Sequence, residues 1–412
     1  MVIMKFIHAA DLHLDSPFRG LANSKMPTAL LQRMQQSTFE AATRVFDAAI
    51  NNQVDFVLLV GDLFDRAEQS INAKYFLNQQ LNRLNDAKIP VIISFGNHDY
   101  FAGDVNQLGF PENVFVFSNE VTTTKLTLKD GTVVAISGFS FANQWVSERM
   151  IANYPAADPQ VDWNIGMLHG SAEGIHSTEG TYAPFSLAEL NSKNYDYWAL
   201  GHIHQRQSLD DQHVINYPGN TQGRHINESG SKGCLLVESN GNQLTTEFIA
   251  TATIEWQRIT ITLTEQPITE MVSAILEQLS QRKFTEMHFL RLELTGTLTG
   301  EQQQTIIEGQ LLSLIQSANA NLLANYNFWV TSIKLLPVPV QLGSVEERQS
   351  FEDAKALALT NANFEELLTN FSQENFIKEQ LETPEIQAEV NNLAAQFLEQ
   401  HFDEKGTLES DN

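Results

Sequence analysis

Short β-rich apolar runs alternate with helical stretches through the first 250 residues. The runs include FVLLV at 56–60, VIISF at 91–95, VVAISGF at 133–139 and WNIGMLH at 163–169. Between the first two strands, residues 26–53 repeat apolar side chains at spacings of three and four, as a helix with one buried face does. The pattern implies a layered α/β domain. The opening MVIMKFIHAADLHLD carries an apolar run too short for a secretory leader and reads as a buried first strand.

With 412 residues, 42% of them hydrophobic, the chain is long enough for two or three domains with full cores. From Ile254 the text becomes strand 254–263, helix 267–279, strand 287–296, helix 301–318 and strand 328–338, a second small α/β domain. Pro337 and Pro339 break that pattern, and Ser344 with Glu347 forms a capping box that opens a helical tail. Its last helix, entered through Thr383 and Pro384, carries Ile386, Val390, Leu393, Phe397 and Leu398 as one apolar stripe, facing either its own domain or a partner protein. The expected domains are 1–250, 251–340 and 341–412.

Charge and cysteine content narrow the function. Twenty-five basic against 50 acidic residues give a net charge of −25, the wrong sign for a stand-alone nucleic-acid binder. Any DNA function would need metal ions, a local basic patch or a basic partner. From Gln341 onward there are sixteen acidic and four basic residues, so the tail is not expected to touch DNA. The single Cys234 excludes an internal disulfide framework and reads as a small buried side chain in KGCLLVES. No run is long enough to cross a membrane, and a cytoplasmic protein is expected.

Five clusters of metal-ligand residue types follow strand-like runs. Asp11-Leu-His13 leaves the first strand and can aim a carboxylate and an imidazole at one cation. Gly61-Asp62-Leu-Phe-Asp65 offers a tight turn and a carboxylate able to bridge two cations. Gly96-Asn97-His98-Asp99 adds an amide oxygen, a titratable imidazole and a carboxylate to orient it. His169-Gly170 and Gly201-His202-Ile-His204 supply the remaining imidazoles. Asp65 is either an outer group behind the ligands or a helix cap.

D-x-H, G-D-x-x-D, G-N-H-D, H-G and G-H-x-H in this order resemble the signature of calcineurin-like metallophosphoesterases. The resemblance implies that Asp11, His13, Asp62 and His204 hold one metal, and that Asp62, Asn97, His169 and His202 hold the other. It implies that His98 lies beside the scissile phosphate as the catalytic imidazole, with Asp99 fixing its tautomer. The donor set has no thiolate, so Mn²⁺ is expected first and Fe²⁺ next, with Mg²⁺ less suited to so many imidazoles. Two such ions about 3.5–4 Å apart support in-line hydrolysis of a phosphoester.

Outside the motifs, HAADLHLDSPFRGL, YPGNTQGRHINE at 217–228 and the added domains resemble the bacterial SbcD-type DNA repair nucleases, in particular their YhaO-like branch. That implies a four-layer α-β-β-α sandwich, a small α/β cap domain and a helical C-terminal region that binds an SMC-like ATPase. The expected activity is metal-dependent exo- or endonuclease hydrolysis of DNA in repair or end processing, with a homodimer left open. A small-nucleotide phosphodiesterase and a non-catalytic DNA-end-binding subunit are the alternatives. Arg224, Arg206, Asn220 and Gln222 are candidate DNA contacts and Arg19 a weaker one, either arginine of the first pair being equally suited to an internal ion pair. Trp256, Phe289, Phe328 and Trp329 read as core, with base stacking the alternative. His8 reads as a buried hydrogen-bonded imidazole, and His176, His213, His288 and His401 as surface or structural.

Overall fold

The apolar runs are strands buried on both faces, as parallel strands between two layers must be. A computed structural model describes residues 3–18, 26–66, 69–103, 109–174, 180–296, 298–323 and 325–336, with scattered positions from 349 to 390. Arg19, His176, His401, Pro337, Pro339, the Ser344–Glu347 box and, apart from Val390, the C-terminal apolar stripe lie outside the described residues.

In chain order the first 250 residues hold β1 (Lys5–Ala9), α1 (Thr28–Asn51), β2 (Phe56–Val60), α2 (Ile71–Asp86), β3 (Val91–Ser94), β4 (Val114–Val116), β5 (Thr122–Thr127), β6 (Val133–Gly138), β7 (Trp163–His169), α3 (Leu187–Ser192), β8 (Tyr197–Gly201), β9 (Gln207–Ser208), β10 (Ile215–Tyr217), β11 (Gly233–Asn240) and β12 (Gln243–Ala250). They build two six-stranded sheets, ordered β12-β11-β1-β2-β3-β4 and β5-β6-β7-β8-β10-β9. The central strands of each are parallel and the β11–β12 and β5 edges antiparallel.

Side-chain alternation along each strand decides the layers. Ile7 and Ala9 of β1, Val57 and Leu59 of β2 and Val91 and Ile93 of β3 point to α1 and α2, meeting Phe39, Val45, Phe46, Leu77 and Leu81. Their neighbours Phe6, Phe56, Leu58, Val60 and Ile92 point the other way, onto Ile136, Ile165, Met167, Tyr197 and Ala199 of the second sheet. The far face of that sheet packs Leu168, Trp198 and Leu200 against Phe139, Ile151, Tyr154 and Leu190, the last on α3. The result is the expected helix–sheet–sheet–helix sandwich, with a thin fourth layer made by α3 and a 3₁₀ turn at Met150–Asn153.

Beyond Thr253 come β13 (Ile254–Leu263), α4 (Ile268–Ser280), β14 (Met287–Gly296), α5 (Gly300–Ile307), α6 (Gln310–Leu322) and β15 (Phe328–Leu335), with the three strands in one sheet. Where the sequence predicts one helix across 301–318 there are two, because Gly309 takes a left-handed φ of +77° and ends the first. The described residues fall into two compact units, one holding those of Met1–Ile259, Leu276–Leu292 and Leu312–Ser332, the other those of Thr260–Ile275, Glu293–Leu311 and Ile333–Asn412. Within the first unit Trp256, Phe289 and Trp329 pack with Met34 and Ile226, and Phe328 is fully buried as well. All four aromatics are therefore core and closed to base stacking.

Gly166 in β7 lies so close to Trp198 that a Cβ would sit 2.2 Å from the indole. Gly166→Ala should therefore overpack this layer and lower stability by about 1–3 kcal/mol, read from the urea midpoint with an unchanged m-value.

Candidate metal centre

The carboxyl ends of β1, β2, β3, β7 and β8 meet at one place, and backbone hydrogen bonds knit their outgoing loops. Asp11 N–H donates to Gly61 O at 3.1 Å, His13 N–H to Asp62 O at 3.0 Å, and Gly61 N–H to Ser94 O at 2.9 Å. The turns are sharp. Asp11, His13, Asp62 and His202 have φ of 53°, 43°, 51° and 101°, a left-handed backbone that costs non-glycine residues about 1–3 kcal/mol each. Glycines clear the space for His169: a Cβ on Gly61 would lie 2.1 Å from its Nδ1, and one on Gly96 2.7 Å from its Nε2.

Asp11, His13, Asp62, Asn97, His169, His202 and His204 are all buried here. Ligand atoms of Asp11, His13 and His204 lie within 4.8 Å of one another, as do those of Asp11, Asp62 and His169. His169 donates Nδ1–H to Val60 O at 3.1 Å, which turns Nε2 to Asn97 Oδ1 at 3.0 Å and Asp62 Oδ2 at 3.4 Å. His202 spends Nε2–H on Gly180 O at 2.9 Å, which leaves its lone pair on Nδ1. Burial, with His169 next, pushes His202 down to about 3. His8 is buried outside the cluster, bonded to Tyr197 Oη and Leu200 O as a structural imidazole.

The charges in this pocket oppose one another. Burial would raise Asp62, but His169, His13 and His98 overcome it and hold the carboxyl well below the usual carboxylate range. Burial would lower His169, but Asp62 and Asp11 overcome it and push it up to about 9. Burial raises Asp11 to about 6 against the pull of His169 and His204.

His98 is half-buried, its ring edge-on to His13 at 5.0 Å. Its N–H donates to Asp62 Oδ1 at 2.9 Å and its Nδ1–H to the Asp65 carbonyl at 3.0 Å. The tautomer of His98 is thus set by that carbonyl and not, as expected, by Asp99. Asp99 is fully buried and instead accepts backbone N–H groups from Gly96 at 2.7 Å, Asp62 at 3.2 Å and Leu63 at 2.6 Å. Burial and the neighbouring Asp62 push it up to about 7.

Glu228 is the residue that sequence reasoning missed. Its Oε1 accepts His204 Nδ1–H at 2.7 Å, which aims His204 Nε2 at the centre. Burial would raise Glu228, but Arg224 and His204 hold it well below the usual range. Its only sequence signal is an acid at the end of GRHINE, in a block read for basic and amide groups. Arg224 joins two carboxylates, Nη1 to Asp65 Oδ1 at 3.0 Å and Nη2 to Glu228 Oε1 at 2.9 Å. Of the two expectations for Arg224, the internal ion pair is the one found. Asp65 is the outer group rather than a cap, lying 3.6 Å from His13 Nδ1, and the cap of α2 is Ser70.

Asn220 and Gln222 are corrections. Both side chains are buried, Asn220 donating to Glu228 Oε2 and Gln222 to Ile254 O, so neither faces a DNA surface. Arg206 stays exposed with its guanidinium 3.9 Å over the Phe248 ring.

The donors fit divalent cations. His13 Nε2 and His204 Nε2 face each other at 3.0 Å, and the Nδ1 of His204 is committed to Glu228. Two such nitrogens need a proton or a cation between them, and the separation suits two imidazoles on one ion. Among the described residues His13 Nδ1 has no hydrogen-bond partner, and Asp65 Oδ1, 3.6 Å away, is in reach to receive its proton once the ring is fixed. The only cysteine, Cys234, is buried in β11 and contributes no thiolate.

The chain matches the calcineurin-like phosphoesterase family over residues 4–206. It is 40% identical over 298 residues to the metallophosphoesterase YhaO of Bacillus subtilis, covering 71% of this chain and 72% of that one. It is 24% identical over 313 residues to the DNA double-strand break repair protein Mre11 of Sulfolobus acidocaldarius, covering 72% and 76%, and 27% identical over 244 residues to that of Archaeoglobus fulgidus, covering 55% and 52%. All five strand-end motifs fall inside the family match, and a relative 40% identical aligns over more than two thirds of both chains, so this chain belongs to the calcineurin-like metallophosphoesterases.

Proposed function

We propose that this chain is a Mn²⁺-dependent DNA nuclease that hydrolyses phosphodiester bonds in DNA repair or end processing in the cytoplasm. The observation that supports the hydrolytic part is the gathering of metal-donor side chains at the strand ends, Asp11, His13 and His204 in one group and Asp11, Asp62 and His169 in another, with His98 beside them. DNA as substrate is supported by the similarity to relatives named as DNA double-strand break repair proteins.

Asp11, His13, Asp62 and His204 would hold one ion, and Asp62, Asn97, His169 and His202 the other. Bound there, the two ions supply Lewis acidity, neutralising phosphate oxygens and acidifying the attacking water. Asp62 keeps Oδ1 on the backbone N–H of His98 and presents Oδ2 to His169 at 3.4 Å and to His13 at 3.9 Å, so it lies near donors of both proposed sets. His98, with Nδ1–H held by the Asp65 carbonyl, would act as imidazolium, its second proton on Nε2 passing to the leaving oxygen and leaving the neutral Nδ1–H ring behind. Four imidazoles beside carboxylates and an amide favour Mn²⁺ over Mg²⁺. Residues 251–340 are assigned to the cap and the acidic 341–412 to an SMC-like ATPase, whose basic surface would offset the charge of −25.

The deciding measurement is Mn²⁺-dependent cleavage of end-labelled linear DNA beside turnover of bis-p-nitrophenyl phosphate. Turnover of the small diester without DNA cleavage, even with the ATPase partner added, would reject DNA as the substrate. His98→Gln should lower both rates by about 10²–10⁴-fold while calorimetry still records Mn²⁺ binding. Glu228→Ala should weaken Mn²⁺ binding by about 10–100-fold with an unchanged circular dichroism spectrum. Because His169 holds a proton up to about pH 9, an ion must displace it at neutral pH. Apparent Mn²⁺ affinity should rise from pH 7 toward 9 and level off above, with proton release seen as a buffer-dependent heat.

A further inference from the structure

Trp145 is 69% exposed, an unusual position for the largest side chain in a loop that is otherwise anchored. Its indole stacks on the Tyr182 ring at 5.3 Å with 28° between planes, and the buried Tyr182 ring stands edge-on to His202, also at 5.3 Å. One face of the indole is thus covered and, with the ring so largely exposed, the other is open. The ring lies no more than two such steps from a residue of the candidate metal centre.

The loop that carries it is held on both sides. Val146 is buried, and its carbonyl accepts the Ala183 N–H at 2.7 Å. Arg149 is pinned by Glu173 and Glu189. Trp145 N–H donates to Asn143 Oδ1 at 3.0 Å, which fixes the backbone at the ring itself. A rigid flat apolar surface beside a phosphate-handling centre suits one class of ligand, a nucleobase, because every base has a π-face and stacking needs no hydrogen-bond code. A base in the interior of a duplex has both faces occupied by its neighbours, so such a base must leave the helix before it can lie on the indole.

We propose that the open face of Trp145 is a stacking platform for an unpaired nucleobase of the nucleotide beside the scissile phosphate, so that the strand enters single-stranded or frayed at its end. This rests on the DNA nuclease reading and narrows its substrate. The platform positions the strand and takes no part in proton transfer, so its contribution belongs to binding and is read there.

The test measures binding by fluorescence anisotropy of a 5′-labelled thymidine oligonucleotide and of an abasic oligonucleotide of equal length. It uses the full chain with Mn²⁺ in the His98→Gln background, so that the strand is not cut. The parent should bind the base-bearing strand about 10–100-fold tighter than the abasic one. Adding Trp145→Ala should erase that ratio, and adding Trp145→Phe should keep most of it. A parent that does not distinguish the two strands overturns the proposal. So does a Trp145→Ala variant that keeps the ratio, or one that weakens both strands alike, which would assign Trp145 to propping Tyr182. Failure of the nuclease reading shows separately, as absence of DNA cleavage by the wild-type chain.

Discussion

Asp99 accepts the backbone N–H groups of Gly96, Asp62 and Leu63, while Asp62 accepts the N–H of His98, so two buried carboxylates lock the loops after β2 and β3 to each other. The rest of the centre depends on this exchange. Asp62 and His98 would otherwise sit on short loops free to relax, and Asp62 holds a left-handed backbone that an unsupported chain would leave. An ionised Asp99 is strained by burial and by Asp62, and these donated N–H groups, with a fourth from Phe64 at 3.4 Å, are what make it tolerable there.

A second layer of carboxylates surrounds the first. Glu228 orients His204, Asp65 faces His13, and Arg224 bridges the two acids with one planar guanidinium. In a chain with twice as many acids as bases, a half-hidden arginine next to two acids finds them before it finds a ligand. The same arrangement turns the Nε2 atoms of His13 and His204 toward each other at 3.0 Å, with Asp62 Oδ2 and Asp11 Oδ1 each 3.9 Å from one of them.

The sandwich makes this geometry inexpensive. Parallel strands in both sheets end on the same side, so short loops from five of them reach one point, and ligands in open α/β sheets bind at such carboxyl ends. His169 ties the layers, since its ring on the second sheet donates to Val60 on the first. The glycines of the motifs are the counterpart, because any Cβ at Gly61, Gly96 or Gly201 would enter the space that His169 or its neighbours fill.

The sequence by itself determined the layered α/β class, the strand runs, the five motif clusters and the burial of His8 and Cys234, because each is a local pattern. Period-two and period-3.6 apolar spacing follow from backbone geometry, and metal donors must be particular residue types at strand ends. Tertiary structure alone decided which partner each polar group found. Asp99 supports backbone rather than His98, Asn220 and Gln222 turn inward, Glu228 orients His204, and Arg224 reaches Asp65 across 159 residues of chain. Those choices depend on which groups packing brings together and which it shuts from water, and no spacing along the chain encodes that.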